Sequence, residues 1–479
     1  MTRSLVWFRR DLRTRDNTAL HEAARAATRG VVGTFVICPE QWRNHDDAPV
    51  KIHFWLRNLR ALSISLSRLN IPLVIVHAER ASEIPERLLA LARASRCDSL
   101  FWNHEYEVDE QRRDAGVFQR LHSAGMSVKG FHDHVLLDPE SIRTDEGRCY
   151  SVFTPFKRRV IQRLMERTPE VLPEPAVQPV IEVQPTPIPD RVDGFDSPVD
   201  PSHWPAGEQA ALGRLAEFCK RRVVAYRDDR DAPAIDGTSR LSPYLGAGVL
   251  SPRQCLAAAR RANSGRLDGL KPGTDGPAQW ISELIWREFY QHIVVGFPRV
   301  CMSRPFKPHT ERIRWAENAE HFKRWCEGRT GVPIVDAGMR QLNAIGWMHN
   351  RLRMIVAMYL TKDLFLDWRL GERYFMRHLV DGDLGSNNGG WQWSASTGCD
   401  AAPYFRIFNP ITQSEKVDPS GEFIRRWVPE LAGVQGKAIH DPSRLGMLGR
   451  LRSEYSEPLV AREGVRERVI RAFRALDGR

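Results

Sequence analysis

The chain has 479 residues, room for two to four domains at roughly 100–200 residues each, and its 42% apolar and 27% charged residues exclude a wholly disordered polypeptide. Lys and Arg exceed Asp and Glu by 11, a balance compatible with a polyanionic partner. No apolar run approaches the ~18 residues a membrane-spanning helix needs, and the start, MTRSLVWFRRDLRTRD, has too short an apolar stretch to be read as a secretory signal.

Taken in chain order, residues 1–135 alternate strand and helix signals. Short runs rich in β-branched and aromatic residues occur at 4–10, 31–37, 72–78, 99–105 and 127–133. Helical patterns lie between them at 19–27, 51–69, 81–95 and 110–125. Such alternation predicts βαβ units, a Rossmann-like parallel sheet and an α/β class for this part. No GxGxxG is present, so the standard dinucleotide fingerprint is absent. Residues 136–205 are expected to connect domains, because ten prolines between 167 and 205 exclude a helix or inner strand there. From 206 to 479 the pattern is all-α, with helices expected at 208–226, 277–295, 335–346, 348–365 and 371–380.

The eight cysteines include no CxxC, and the nearest two are 25 residues apart. That spacing argues against a zinc ribbon, a compact disulfide scaffold or a clustered iron–sulfur site, so no metal is expected and a reducing cytoplasm fits best. Of the 14 tryptophans, nine lie between Trp280 and Trp427.

Four segments of the helical part carry candidate chemistry. On the 277–295 helix, Trp280, Glu283 and Arg287 share one face, with Trp286 and Tyr290 on a neighbouring one. Charge among tryptophans is costly unless paired, so an internal Glu–Arg pair is the plain alternative. In GWMHNRLRM (346–354), Trp347, Asn350 and Met354 fall on one face, flanked by Arg351 and Arg353, while His349 is read as a core histidine. In DGDLGSNNGGWQWSASTG (381–398), Gly389 and Gly390 permit positive φ and close approach to a ligand, and Asp381 and Asp383 are acceptors for a heterocycle or ribose. In DGTSRLSPYLGAGVLSPRQ (236–254), hydroxyls and an Arg precede a helix start, which suits a pyrophosphate or plain N-capping.

Together these segments resemble the photolyase–cryptochrome family. The carrying motifs are LVWFRRDLRTRDN (5–17), VFTPF (152–156), DGTSRLS (236–242), ELIWREFY (283–290), GWMHNRLRM (346–354) and DGDLGSNNGGWQWSASTGCDAAPYFRIFNP (381–410), in the family's order along nearly the whole chain. Within the family the chain is most similar to class I cyclobutane pyrimidine dimer photolyases. Asn350 stands where (6-4) photolyases and animal cryptochromes tend to carry a histidine, and Asn387 where plant cryptochromes usually carry aspartate.

The resemblance implies an antenna domain over 1–135 and an α-helical FAD- and DNA-binding domain over 206–479. It implies reduced, anionic FAD that passes an electron to a flipped-out dimer in DNA. Tyr226, Thr238, Ser239, Arg240, Leu241 and Ser242 would hold the phosphate side of FAD. Trp280, Glu283, Arg287, Trp347, Asn350, Arg353, Asp381, Gly382, Asp383 and Asn387 would complete its site. Arg353 would pair with Asp381, and Asn387 would face flavin N5. Glu283 would hydrogen-bond the dimer, Trp286 and Trp393 would stack on it, and Met354 and Asn350 would pack beside it. Arg230, Arg351 and Arg406 would meet DNA phosphates. Trp391, Trp368 and Trp315 would relay electrons to the flavin. His45, Asp109 and Glu110 match a folate antenna site, whereas Met302 replaces the Lys that often follows Cys301 in folate binders, so methenyltetrahydrofolate and deazaflavin both stay open. The expected state is a cytoplasmic monomer, nucleoid-associated if the source is bacterial, with no obligatory protein partner. Two alternatives are a blue-light signalling cryptochrome, which often carries a C-terminal tail, and a non-catalytic nucleic-acid-binding flavoprotein.

Overall fold

Five short runs of β-branched and aromatic residues form the strands of one parallel sheet in the computed structural model, which describes residues 2–269, 275–445 and 454–477. They are β1 (Ser4–Phe8), β2 (Val31–Ile37), β3 (Leu73–His77), β4 (Ser99–Asn103) and β5 (Ser127–Phe131), in the order β3-β2-β1-β4-β5. Leu5 registers with Val32 on one side and Leu100 on the other. Every residue of β1, β2 and β4 is buried, as inner parallel strands covered on both faces must be. Helices α1 (Thr18–Ala26), α2 (Pro49–Ser67), α3 (Ile84–Ala94) and α4 (Val108–His122) follow the strands. Asn17 caps α1 by accepting from the Leu20 N–H, and α2 and α3 start with proline in the first turn. No helix or strand lies between Glu166 and Pro201, where the prolines cluster.

Contacts divide the chain into two compact units. The first comprises Met1–Arg227, Ser239–Pro298 and Val380–Asp383. Besides the sheet it contains α5 (Phe153–Glu166), α6 (Glu208–Arg221), α7 (Ser242–Gly246), α8 (Pro252–Ala262) and α9 (Gly276–Gly296). The second comprises Asp228–Thr238, Arg299–Leu379 and Leu384–Arg479. It contains α10 (Pro333–Ile345), α11 (Asn350–Met358), a π-helical turn (Tyr359–Asp363), α12 (Trp368–Met376), α13 (Leu384–Ala395) and α14 (Val465–Asp477). The three-part reading with boundaries at 135 and 205 follows composition, whereas this division follows contacts. Trp325, Leu352, Val356, Trp368, Phe375 and Trp391 belong to the buried core of the second unit.

One expectation is corrected. Residues 384–395 form α13 rather than a turn, and neither Gly389 nor Gly390 has positive φ. Glycine costs a helix about 1 kcal/mol, but burying the Trp391 ring outweighs it. The helix expected over 348–365 also stops early: α11 ends at Met358 and passes into the π-helical turn.

Candidate functional site

In the first unit, LVWFRRDLRTRDN builds a buried charge network at the carboxyl end of β1. Arg9 Nη1 bonds the Asp114 carboxylate at 2.7 and 2.8 Å, and its guanidinium lies 4.5 Å over the Trp7 ring. Arg10 pairs with Glu107 and with Asp383, and Arg13 pairs with Asp133. Arg253 joins Asp16 and Asp133, and the two guanidiniums hold the Asp133 carboxyl far below the usual range against the cost of burial. These residues fix the unit internally, which accounts for the motif without assigning it a ligand.

Asp381 and Asp383 are both 7% exposed. Asp383 accepts from Gln291 Nε2 at 3.2 Å on each oxygen, besides its pairing with Arg10. The Gly382 carbonyl accepts from Lys51 Nζ at 2.7 Å. Ser242 opens α7 with no side-chain capping bond, so N-capping does not explain the hydroxyls before it. Ser239 and Arg240 are half-buried, Leu241 is buried, and Arg240 has a left-handed backbone (φ 49°). Tyr226 is buried edge-on to Phe218, as is Trp280. Thr238 belongs to the second unit and is half-buried.

On α9, Trp280 is buried and Glu283 and Arg287, one and two turns further on, are half-buried. Glu283 Oε1 accepts from Gln279 Nε2 at 2.8 Å. Arg287 Nη1 donates to the His134 carbonyl at 2.7 Å, and Nη2 lies 2.5 Å from His134 Nε2. Burial, then the charges of Arg287 and Arg10, push the His134 ring well below its ordinary pKa. Trp286 stacks on Phe153 with centroids 3.6 Å and planes 7° apart, and lies tilted beside Tyr290 at 5.8 Å. Gln279 stands one turn before Glu283 on the same helix, so helical spacing could have found it, whereas nothing in the sequence paired His134 with Arg287 or Phe153 with Trp286, contacts set by packing between distant segments.

The three antenna candidates come together. His45 Nδ1 is 3.3 Å from Glu110 Oε1, and Nε2 is 3.9 Å from Asp109 Oδ2. Burial pushes the Glu110 carboxyl up to about 7, and Gln41 Nε2 donates to it at 2.9 Å.

In the second unit, His349 caps α11 through a 3.2 Å bond from the Arg351 N–H to Nδ1, in line with its structural reading. Asn350 is exposed at the first position of α11, and Met354 is half-buried one turn on. Arg353 Nε donates to the Met348 carbonyl at 2.8 Å, and Trp347 is 5% exposed. Arg351 forms a two-point pair with Asp231, at 3.1 and 2.6 Å, and Arg230 approaches the same carboxylate at 3.7 Å. Arg406 is exposed, and Trp393 on α13 is half-buried. Asn387 Nδ2 donates to the Glu372 carbonyl at 3.0 Å and to its Oε1 at 3.2 Å. With the amide NH₂ tied down, Oδ1 is the group Asn387 has to offer as an acceptor.

Trp391 and Trp368 are 2% and 1% exposed, and half-buried Trp315 packs against the same core. Trp391 meets Phe375 edge-on at 5.0 Å and Trp325 at 5.9 Å. Gly371 makes room for it: a Cβ there would collide with the Trp391 indole and the Leu360 side chain. Arg369 lies 4.9 Å over Trp368, and Trp315 is 5.1 Å from Phe365.

The donor set fits FAD. Half-buried to exposed hydroxyls and a guanidinium at 239–242 suit a pyrophosphate. An amide with a fixed NH₂ and an available carbonyl oxygen suits a heterocycle N–H. Among the described residues no helix is long and apolar enough to cross a membrane.

Comparison with known proteins agrees. The family described as DNA photolyase matches residues 4–176, and the FAD binding domain of DNA photolyase matches residues 280–475. The deoxyribodipyrimidine photo-lyase of Escherichia coli is 44% identical, with 99% of each chain covered. That of Vibrio cholerae is 45% identical over 99% of this chain and 100% of its own. Among solved structures, a bacterial class III photolyase from Agrobacterium tumefaciens has a TM-score of 0.83 at 32% identity, covering 100% of this chain and 98% of that one. A Synechocystis cryptochrome gives 0.87 at 27%, covering 98% of each. An archaeal photolyase from Sulfolobus tokodaii, solved with two FAD molecules, gives 0.80 at 30%, covering 99% and 100%.

Proposed function

The chain belongs to the DNA photolyase family, and from that premise we propose that it repairs cyclobutane pyrimidine dimers in DNA under blue light. FAD is its cofactor, and when bound in reduced form it supplies the photoexcited electron that opens the cyclobutane ring. The observation that carries the reading is on α9. Three residues apart, it presents a carboxyl held in place by Gln279 and an indole with one face already stacked. A flipped-out dimer needs both, a hydrogen-bonding partner for its base edge and an apolar wall.

The remaining roles follow from the chemistry of each group. Ser239, Arg240 and Ser242, with Thr238, Leu241 and Tyr226 beside them, hold the pyrophosphate side of FAD. Asp381, Gly382 and Asp383 line its ring and ribose side, with Trp280, Arg287, Trp347 and Asn350. Arg353 places a cation near the flavin. Asn387 Oδ1 accepts from flavin N5–H, since Glu372 occupies its NH₂. Glu283 orients the dimer and meets the charge that develops on it. Trp286 and Trp393 stack on the dimer, and Met354 packs beside it. Arg230, Arg351 and Arg406 neutralise phosphates. Trp391, Trp368 and Trp315 pass electrons inward to regenerate the reduced cofactor.

We propose His45, Asp109 and Glu110 as the site of a second chromophore. The Glu110 carboxyl, pushed up to about 7 beside the His45 imidazole, can take up a proton and donate to the amide-like edge of a pterin, which suits methenyltetrahydrofolate. The protein acts as a cytoplasmic monomer. Signalling is the weaker reading, since relatives of 44–45% identity over the full chain are photo-lyases.

Reduced protein incubated with a dimer-containing oligonucleotide should restore intact thymines in blue light and not in the dark. Equal recovery in both would refute dimer repair.

A further inference from the structure

Two helices of the first unit pack in an antiparallel register that the proposed roles leave unused. Phe153 and Lys157 are one turn apart on α5. Trp286 and Ser282 are one turn apart on α9, in the opposite direction. The Phe153 ring lies flat on Trp286, and Lys157 Nζ donates to Ser282 Oγ at 3.0 Å. Phe289 lies edge-on to Phe153 at 5.8 Å, beside the stacked pair, and so fixes the Phe153 plane from the side. Trp286 also meets Phe289 edge-on at 5.8 Å. The indole therefore has one face covered by Phe153 and an edge flanked by Phe289, and it remains half-buried rather than enclosed. Lys157 is half-buried; that burial lowers its proton affinity, while the neighbouring Glu283 raises it, which puts the ammonium within electrostatic reach of the carboxylate.

We infer that the Phe153–Lys157 row of α5 positions the two lesion-facing residues of α9. Phe153 backs the Trp286 ring so that its opposite face meets the dimer already oriented. Lys157, anchored by Ser282, keeps a cation beside Glu283. A ring ordered before binding saves the entropy of ordering it on binding. A cation fixed before the electron arrives favours negative charge on the adjacent base without rearrangement. The inference rests on Trp286 and Glu283 being the lesion-facing residues, and its test separates the two claims.

The measurement is the dark dissociation constant of the FAD-loaded protein for a duplex with one thymine dimer and for the same duplex undamaged. Phe153→Leu should weaken dimer binding about tenfold, the worth of one good aromatic pair, and leave undamaged DNA unaffected. Phe153→Tyr, which keeps the ring, should restore it. In a Trp286→Ala background, Phe153→Leu should add nothing. Lys157→Met should weaken dimer binding about threefold without changing the salt slope, and the effect should vanish in a Glu283→Gln background. Phe153→Leu weakening both duplexes alike, or acting equally without Trp286, would overturn its part. A salt slope reduced by about one would make Lys157 a phosphate contact instead. If Trp286→Ala and Glu283→Gln leave dimer affinity unchanged, the lesion-facing reading itself fails, and the row with it.

Discussion

Trp391 sets an oxidisable ring in a dry interior, 2% exposed, with Phe375 and Trp325 edge-on to it. In such surroundings the ring has no water to reorganise when its charge changes, which suits fast electron transfer to a neighbour. Trp368 differs, because the Arg369 guanidinium 4.9 Å over its ring opposes positive charge there. In the proposed relay this makes Trp368 harder to oxidise, so the guanidinium opposes its electron transfer to an oxidised Trp391 and favours its refilling from Trp315. Trp391→Phe is expected to leave bound FAD and its dark absorption spectrum intact and to nearly abolish photoreduction of oxidised FAD. Blue-light bleaching in the presence of an external reductant checks this, and undiminished bleaching would remove Trp391 from the relay. Residue type and the family resemblance singled out the three tryptophans in the sequence, though only Trp391 falls within one of its motifs. Arg369 was not legible there, since nothing in its spacing says that its guanidinium lies over the ring.

At the scale of elements, the strands were readable because inner parallel strands are continuous apolar runs, as SLVWF and VVGTFVI are. Helix α13 was not, because a Gly pair reads locally as a turn and only the burial of Trp391 makes it helical. The antiparallel row of α5 on α9 was also hidden, for a pairing across helices leaves no spacing in one chain. The π-helical turn after α11 has a consequence of its own. It buries Lys362 completely, with Nζ bonded to the Ala395 carbonyl at 3.1 Å and to Ser396 Oγ at 2.8 Å. Burial, helped by the charge of Lys307, pushes the Lys362 ammonium down from 10.5 to about 7. Between these values the unfolded chain holds a proton that the folded one lacks, so stability rises with pH. Lys362→Met removes that contribution. The wild type should therefore gain on the variant as pH rises from about 7 towards 10.5, with a constant difference below pH 7. Parallel thermal melts across this range test it, and a difference independent of pH would show that Lys362 does not titrate in the fold.

For the molecule as a whole, the net charge of +11 and the three arginines proposed to meet phosphates predict DNA binding that weakens steeply with salt. The pairing of Arg351 with Asp231 tempers this, because a guanidinium already neutralised releases fewer counterions on binding. Asp231→Asn should therefore tighten binding to damaged and undamaged duplexes alike and steepen the salt slope. Titrations at several salt concentrations check this, and an unchanged slope would exclude Arg351 as a phosphate contact. Composition announced the charge, but not that an acid sits on one of the cations meant for DNA. The notch at Gly371 reaches further still, into how this sequence is able to vary. Position 371 admits only hydrogen while position 391 carries an indole, so position 371 cannot change before position 391 does. A smaller ring at 391 would relax the ban at 371, and an alanine fixed there afterwards would bar the way back to tryptophan. Loss of the proximal relay tryptophan would then be locked in by a second residue with no part in electron transfer.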